Sequence, residues 1–231
     1  MNSFCVFGDS VAKGVIFDTV SKKYKTTKDN CVELFKSVTG SSVRNLSHFG
    51  STILRGKTLI ERHLDELPHY DEIVLEFGGN DCDHNWSEIA ARPDGLHLPN
   101  VPLDEFKKKY CEIIDSIRVL GGTPVMTTLP PLLARRFFDW VSKGLDRDAI
   151  LLWLKDIEYI YRWQELYNLA VSEIAIKKNV TLIDIRCEFL LKHDLGAYLC
   201  EDGMHPNEEG HKLIANALCR SFREMPFRTT P

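Results

Sequence analysis

Short apolar runs alternate along this chain with longer stretches in which apolar residues recur every three or four positions. The runs at 3–8, 71–77, 123–128 and 180–185 are brief. Gly78-Gly79 and Pro130-Pro131 stop the second and third. This pattern predicts buried strands. A more polar segment, 42–48, reads as a fifth short strand. Helical spacing covers about 29–39, 54–67, 103–120 and 156–178, and a last helix runs from Pro206 or Asn207 to Arg223. Pro68 ends the second of these helices and Gly121-Gly122 closes the third, whose Ile113, Ile114, Ile117 and Leu120 share one face. Proline suits the first helical turn, where its missing N–H costs nothing.

Strands alternating with helices predict an α/β protein: a three-layer α/β/α sandwich on a mainly parallel five-stranded sheet, in one domain over 1–231. In such sheets the ligand crevice lies beyond the carboxyl ends of the strands. Those ends carry Gly8-Asp9-Ser10, His48-Phe49-Gly50, Gly78-Gly79-Asn80-Asp81 and Leu129-Pro130-Pro131, and Glu201-Asp202-Gly203-Met204-His205 precedes the last helix. Polar and glycine residues therefore collect on one edge. Two connections, 82–102 and 132–160, exceed what a minimal sandwich needs, and connections this long are usually lids or binding loops.

Composition narrows the class. A chain of 231 residues that is 44% hydrophobic and 27% charged can bury a full core without disulfides or metals. A net charge of -4 with no long like-charge run gives no footprint for nucleic acid and no basic membrane patch. The sequence predicts no membrane span, and Met1-Asn2-Ser3-Phe4 lacks the basic region of a signal peptide. The seven cysteines show no CxxC spacing, so they read as reduced thiols of a cytoplasmic protein.

Four elements can carry chemistry. A serine hydroxyl such as that of Ser10 is a poor nucleophile until a base takes its proton. His205 follows Asp202 by three residues, and a carboxylate can hold an imidazole's tautomer and stabilise its charged form. Gly50 at a strand end leaves a bare N–H for close approach. The Asn80 amide can donate to an oxyanion, a contribution of about 3–4 kcal/mol per donor. Each residue has an ordinary alternative: Ser10 as a helix cap, Gly50 and Asn80 as turn residues, His205 as a structural residue at a helix start. Asp9 reads as a partner for nearby backbone.

Taken together these segments resemble the SGNH, or GDSL, family of esterases and lipases. Phe7-Gly8-Asp9-Ser10 followed by Gly14, Asn45 to Gly50, Gly78-Gly79-Asn80-Asp81, and Asp202 to Asn207 match the family's blocks in order. Ser47 departs mildly from a position that is often a smaller residue or glycine. The resemblance implies the flavodoxin-like SGNH hydrolase fold. It also implies Ser10 as nucleophile with Asp202 and His205, and an oxyanion hole of the Ser10 N–H, the Gly50 N–H and the Asn80 amide. The expected activity is hydrolysis of a small or carbohydrate-linked acyl ester, with no cofactor and no metal. The absence of G-x-S-x-G around Ser10 argues against the nucleophile elbow of α/β-hydrolases.

His84 and Trp86 in one insertion, and Phe137 and Trp140 in the other, are the candidates for substrate contact. An acyltransferase using the same residues, with a sugar or other alcohol as acceptor, is the nearest alternative. A metal-dependent phosphoesterase is the alternative of a different class, since Asp81, Cys82, Asp83 and His84 offer ligand atoms in sequence.

Overall fold

The computed structural model describes residues 2–224. Its sheet is built from the predicted apolar runs. Strand β1 (Ser3–Gly8) delivers the chain to a single-turn helix α1 (Ser10–Lys13). An antiparallel hairpin, β2 (Val15–Asp18) and β3 (Lys23–Thr26), follows. Then come α2 (Cys31–Thr39), β4 (Ser42–Asn45), α3 (Ile53–Glu61), β5 (Glu72–Glu76), α4 (Trp86–Ala91), α5 (Leu103–Val119) and β6 (Pro124–Thr127). The chain continues through α6 (Ala134–Val141), α7 (Arg147–Leu154), α8 (Tyr159–Lys178), β7 (Thr181–Ile183), α9 (Arg186–Leu190) and α10 (Glu208–Glu224).

The five-stranded sheet has the order β4-β1-β5-β6-β7, and every pairing in it is parallel. Alternate residues face opposite layers, as the pleat requires. Cys5, Phe7, Ile73, Leu75 and Met126 pack on one face with Phe106, Tyr110 and Ile117 of α5 and Tyr167 and Val171 of α8. Phe4, Val125 and Ile183 face the other way, towards α2, α9 and α10. The three-layer sandwich predicted from the alternation is the observed fold. The chain order reverses between β4 and β5, on either side of β1. Such a switch point opens a crevice at the carboxyl ends of β1 and β5, where Ser10 and Asn80 lie.

Several boundaries differ for identifiable reasons. The fourth strand ends at Asn45 rather than at residue 48, although Leu46 and His48 still donate backbone hydrogen bonds to Val6 and Gly8. The helix expected over 54–67 stops at Glu61, and a tight 3₁₀ stretch, Leu64–His69, carries Pro68. The segment 180–185 is a three-residue strand followed by α9. Pro206 is not in the first turn of the last helix; it forms an antiparallel bridge with Leu199. The hairpin is absent from the sequence reading, and the insertion 132–160 contains two helices, α6 and α7, before α8 begins at Tyr159. Among the described residues no helix is long and apolar enough to cross a membrane.

Candidate active site

The turn after β1 is fixed by its own side chains. Asp9 caps α1, its Oδ1 accepting from the Val11 N–H at 2.8 Å. Gly14 ends that helix at φ +80°, where a Cβ would lie 2.3 Å from Asn30. Beneath the turn, Glu76 Oε2 accepts from the N–H groups of Asp9 (3.2 Å) and Ala12 (3.3 Å). Ser10 thus sits at the first helical position on a turn held from both sides.

The loop before α10 is folded back on itself. Cys200 N–H donates to His205 O at 2.8 Å, and the Leu199–Pro206 bridge lies beneath it. Gly203 adopts φ +75°, and a Cβ there would stand 2.8 Å from the Phe137 nitrogen, so the loop needs glycine. Asp202 Oδ1 accepts from the N–H groups of Met204 (2.9 Å) and His205 (3.0 Å). Its Oδ2 lies 2.7 Å from His205 Nδ1, and His205 Nε2 lies 2.8 Å from Ser10 Oγ. All three side chains are buried. Burial alone would raise the Asp202 carboxyl, but hydrogen bonds from His205 and the loop amides hold it below the usual carboxylate range.

The other sequence candidates fall as follows. Gly50 takes φ +66°, and next to it the Phe49 ring stacks on His205 with centroids 6.1 Å apart. The Asn80 amide donates to Asp9 Oδ2 at 2.9 Å and, at greater length, to Ser51 O at 3.3 Å. Asp9 therefore does more than bond to nearby backbone, since its second oxygen anchors Asn80. Burial pushes both Asp9 and Glu76 upward, and the Asp9 charge adds to the rise at Glu76.

A cavity of about 280 Å³ extends from Ser10 to an aromatic wall supplied by the two insertions. His84, Trp86 and Phe137 line it, joined by Trp153, Tyr159 and Trp163. His84 lies 5.1 Å from Trp153 and 5.8 Å from Trp163, ring to ring, and its burial pushes the imidazole down to about 4. The His84 imidazole in this wall is therefore neutral at neutral pH. Cys82 and Asp83 also line the cavity, with polar atoms already engaged: the Cys82 thiol donates to Gly79 O, and Asp83 Oδ1 accepts from the Trp86 indole and the His84 N–H.

Trp140 is a correction. It does not line this cavity. It packs edge-on against Phe17 of the hairpin at 4.6 Å, with the Lys143 ammonium 3.7 Å from its ring. Composition marked the aromatics of α6 as a group, but the helix turns Phe137 inward and Trp140 towards β2.

Tyr24 of β3 was missed. Its hydroxyl donates to Asp202 Oδ2 at 3.0 Å, and its ring lies 5.1 Å from His205. The alternation Lys23-Tyr24-Lys25-Thr26, with one aromatic between charges, was the available signal. Arg136 is also structural, its guanidinium donating to the carbonyls of Gly196, Leu199 and Cys200.

Comparison with known proteins adds four findings. Residues 6–213 match the model of the GDSL-like lipase/acylhydrolase family. A GDSL esterase/lipase of Oryza sativa subsp. japonica is 24% identical over 154 residues, which is 66% of this chain and 53% of that protein, so the chain matches about half of that relative's length. A lipase/acylhydrolase from Enterococcus faecalis superposes with a TM-score of 0.68 at 18% identity, covering 97% of this chain and 96% of that one. A variant of an acetyl xylan esterase from Geobacillus stearothermophilus does so with a TM-score of 0.68 at 19% identity, covering 99% and 97%. At such identities these two structures are alike in fold.

Proposed function

Since the chain belongs to the GDSL-like lipase/acylhydrolase family, we propose that it is a serine esterase that hydrolyses a small or carbohydrate-linked acyl ester, with Ser10 as nucleophile, His205 as base and Asp202 as the orienting acid. The observation that carries this reading is the unbroken line from Ser10 Oγ to His205 Nε2 at 2.8 Å and from His205 Nδ1 to Asp202 Oδ2 at 2.7 Å. Nucleophile, base and orienting group stand within hydrogen-bond reach before substrate arrives.

In this mechanism Ser10 Oγ attacks the ester carbonyl carbon while its proton passes to His205 Nε2. Asp202 holds Nδ1 protonated and stabilises the imidazolium. The carbonyl oxygen becomes an oxyanion and is met by the Ser10 N–H, the Gly50 N–H and the Asn80 amide. The 3.3 Å bond from Asn80 to Ser51 O is the weaker of its two, and it is the one exchanged for the oxyanion. The intermediate collapses as the imidazolium gives its proton to the departing alkoxide. Water, activated by the same imidazole, then releases the acyl group from Ser10.

The cavity favours a neutral substrate with a ring. An acetyl group fills little of about 280 Å³. Trp86, Trp153 and Trp163 offer flat apolar faces to ring C–H groups, and neutral His84 can hydrogen-bond a hydroxyl.

The test is p-nitrophenyl acetate hydrolysis by wild type and Ser10→Ala, both in EDTA. The reading expects turnover by wild type and a fall of about 10³-fold or more in the variant. Equal rates would refute Ser10 as nucleophile, and loss of wild-type activity in EDTA would favour a metal-dependent mechanism.

A further inference from the structure

Asp202 receives one hydrogen bond that its own loop does not supply. Oδ1 is occupied by two loop amides, and Oδ2 lies at 2.7 Å from His205 Nδ1. The Tyr24 hydroxyl also reaches Oδ2, at 3.0 Å, from the other side of the chain fold. Tyr24 is 178 positions away in sequence and belongs to the hairpin β2–β3. Nothing in the five-stranded sheet requires that hairpin. Packing nonetheless holds it against the site: Phe17 meets Tyr24 at 5.4 Å and Trp140 at 4.6 Å, and Tyr24 meets Phe49 at 5.5 Å and His205 at 5.1 Å, centroid to centroid. The phenol has few rotamers, and its ring touches those of Phe17, Phe49, Trp140 and His205, so its hydroxyl is delivered to Asp202 at small entropic cost.

We propose that Tyr24 is a positioning residue for the reaction: its hydroxyl fixes the Asp202 carboxylate and draws off part of its negative charge, and so sets the pH at which His205 becomes the base. The inference rests on Ser10, His205 and Asp202 acting as described above. Two donors share Oδ2. The one from Tyr24 competes with the imidazole for the same lone-pair density and weakens the pull of Asp202 on the imidazolium. Removing it leaves a more strongly negative Asp202. The imidazolium is then better stabilised, and His205 gives up its proton only at higher pH. The hydroxyl itself stays a donor throughout, because burial and the Asp202 charge both push the Tyr24 phenol upward.

Other titratable groups face this pair from each neighbouring element. Asp9 at the start of α1 and His211 on α10 act on His205, Cys200 in the loop acts on Asp202, and Glu201 in the loop and Arg136 on α6 reach the pair only through Cys200. Lys22 of the hairpin pairs with Glu201 at 3.4 Å. Tyr24→Phe leaves all of these in place and removes one oxygen.

The experiment compares wild type and Tyr24→Phe over pH 5–9 with p-nitrophenyl acetate, and follows the His205 imidazole by NMR in both proteins. Phenylalanine preserves the ring packing, so the variant should fold with an unchanged thermal transition. The acid limb of the kcat/KM profile should move to higher pH by about half a unit or more, and the His205 titration should move with it. A profile and titration that superimpose on wild type would overturn the proposal, even with activity lowered, because loss of packing alone does not move them. A shift to lower pH would also overturn it. The NMR titration does not need turnover, so it decides the role of Tyr24 even if Ser10→Ala shows that the serine mechanism itself fails.

Discussion

Asp81→Asn should make the protein's stability less dependent on pH. Asp81 is fully buried below the crevice. Its Oδ1 accepts from the Ile53 N–H at 2.8 Å, and its Oδ2 has no hydrogen-bond partner among the described residues. Burial, reinforced by the nearby Asp9 charge, pushes its carboxyl from 3.8 to about 7. In the unfolded chain the group titrates near its ordinary value. Between about pH 4 and 7 the folded protein therefore holds a proton that the unfolded chain has lost. The stabilisation from this site is complete below pH 4, declines as pH rises through about 7, and is flat above. Roughly three units at about 1.4 kcal/mol each give a swing of about 4 kcal/mol. Asparagine keeps the acceptor for Ile53, places its amide where Oδ2 already lacks a partner, and cannot ionise. Urea unfolding followed by tryptophan fluorescence from pH 4.5 to 8 measures the difference between the two proteins. The variant should be similar or slightly less stable at the acid end and should gain on wild type steadily to pH 8. A difference that stays constant across this window would mean that Asp81 ionises equally in both states, contrary to its burial-raised carboxyl.

Gly56→Ala should destabilise the fold although it adds a better helix former, because the new Cβ would lie 2.4 Å from the buried Phe77 ring; overpacking costs about 1–3 kcal/mol, and calorimetry should show a lower Tm. Asp202→Asn should lower kcat by about 10³-fold or more with little change in thermal stability at neutral pH, as an amide favours the wrong imidazole tautomer; steady-state kinetics will check this. Trp153→Ala should raise KM more for acetate esters of ring-bearing alcohols than for ethyl acetate, as measured by proton release; equal effects on both would remove the ring-stacking role of the aromatic wall.

What could be read from the sequence follows the local strength of each signal. Strands β1, β5 and β6 are apolar runs closed by glycine or proline, and their periodicity carries through to the parallel sheet. Ser10, Asn80, Asp202 and His205 stood out because each falls in a short polar turn at a strand or helix end. The contacts among them depend on strand order, which no local pattern carries. The hairpin was hidden because its outer strand exposes lysine on both sides of Tyr24, so the segment looks like a solvated linker. With the hairpin unread, Trp140 lost its actual partner, Phe17, and was assigned to substrate together with its neighbours. Glu76 was hidden for the opposite reason. It sits within the run Ile73-Val74-Leu75-Glu76-Phe77, where a single carboxylate gives no hint that it lies beneath Asp9 and Ala12.

In the proposed mechanism His205 activates Ser10 as a nucleophile. The most direct measurement is mass spectrometry of the protein after reaction with a fluorophosphonate, with peptide mapping, for wild type, Ser10→Ala and His205→Ala. Wild type should carry one adduct, on the peptide containing Ser10, absent from Ser10→Ala and formed far more slowly by His205→Ala. An adduct on another residue, or equal labelling of wild type and Ser10→Ala, would contradict it.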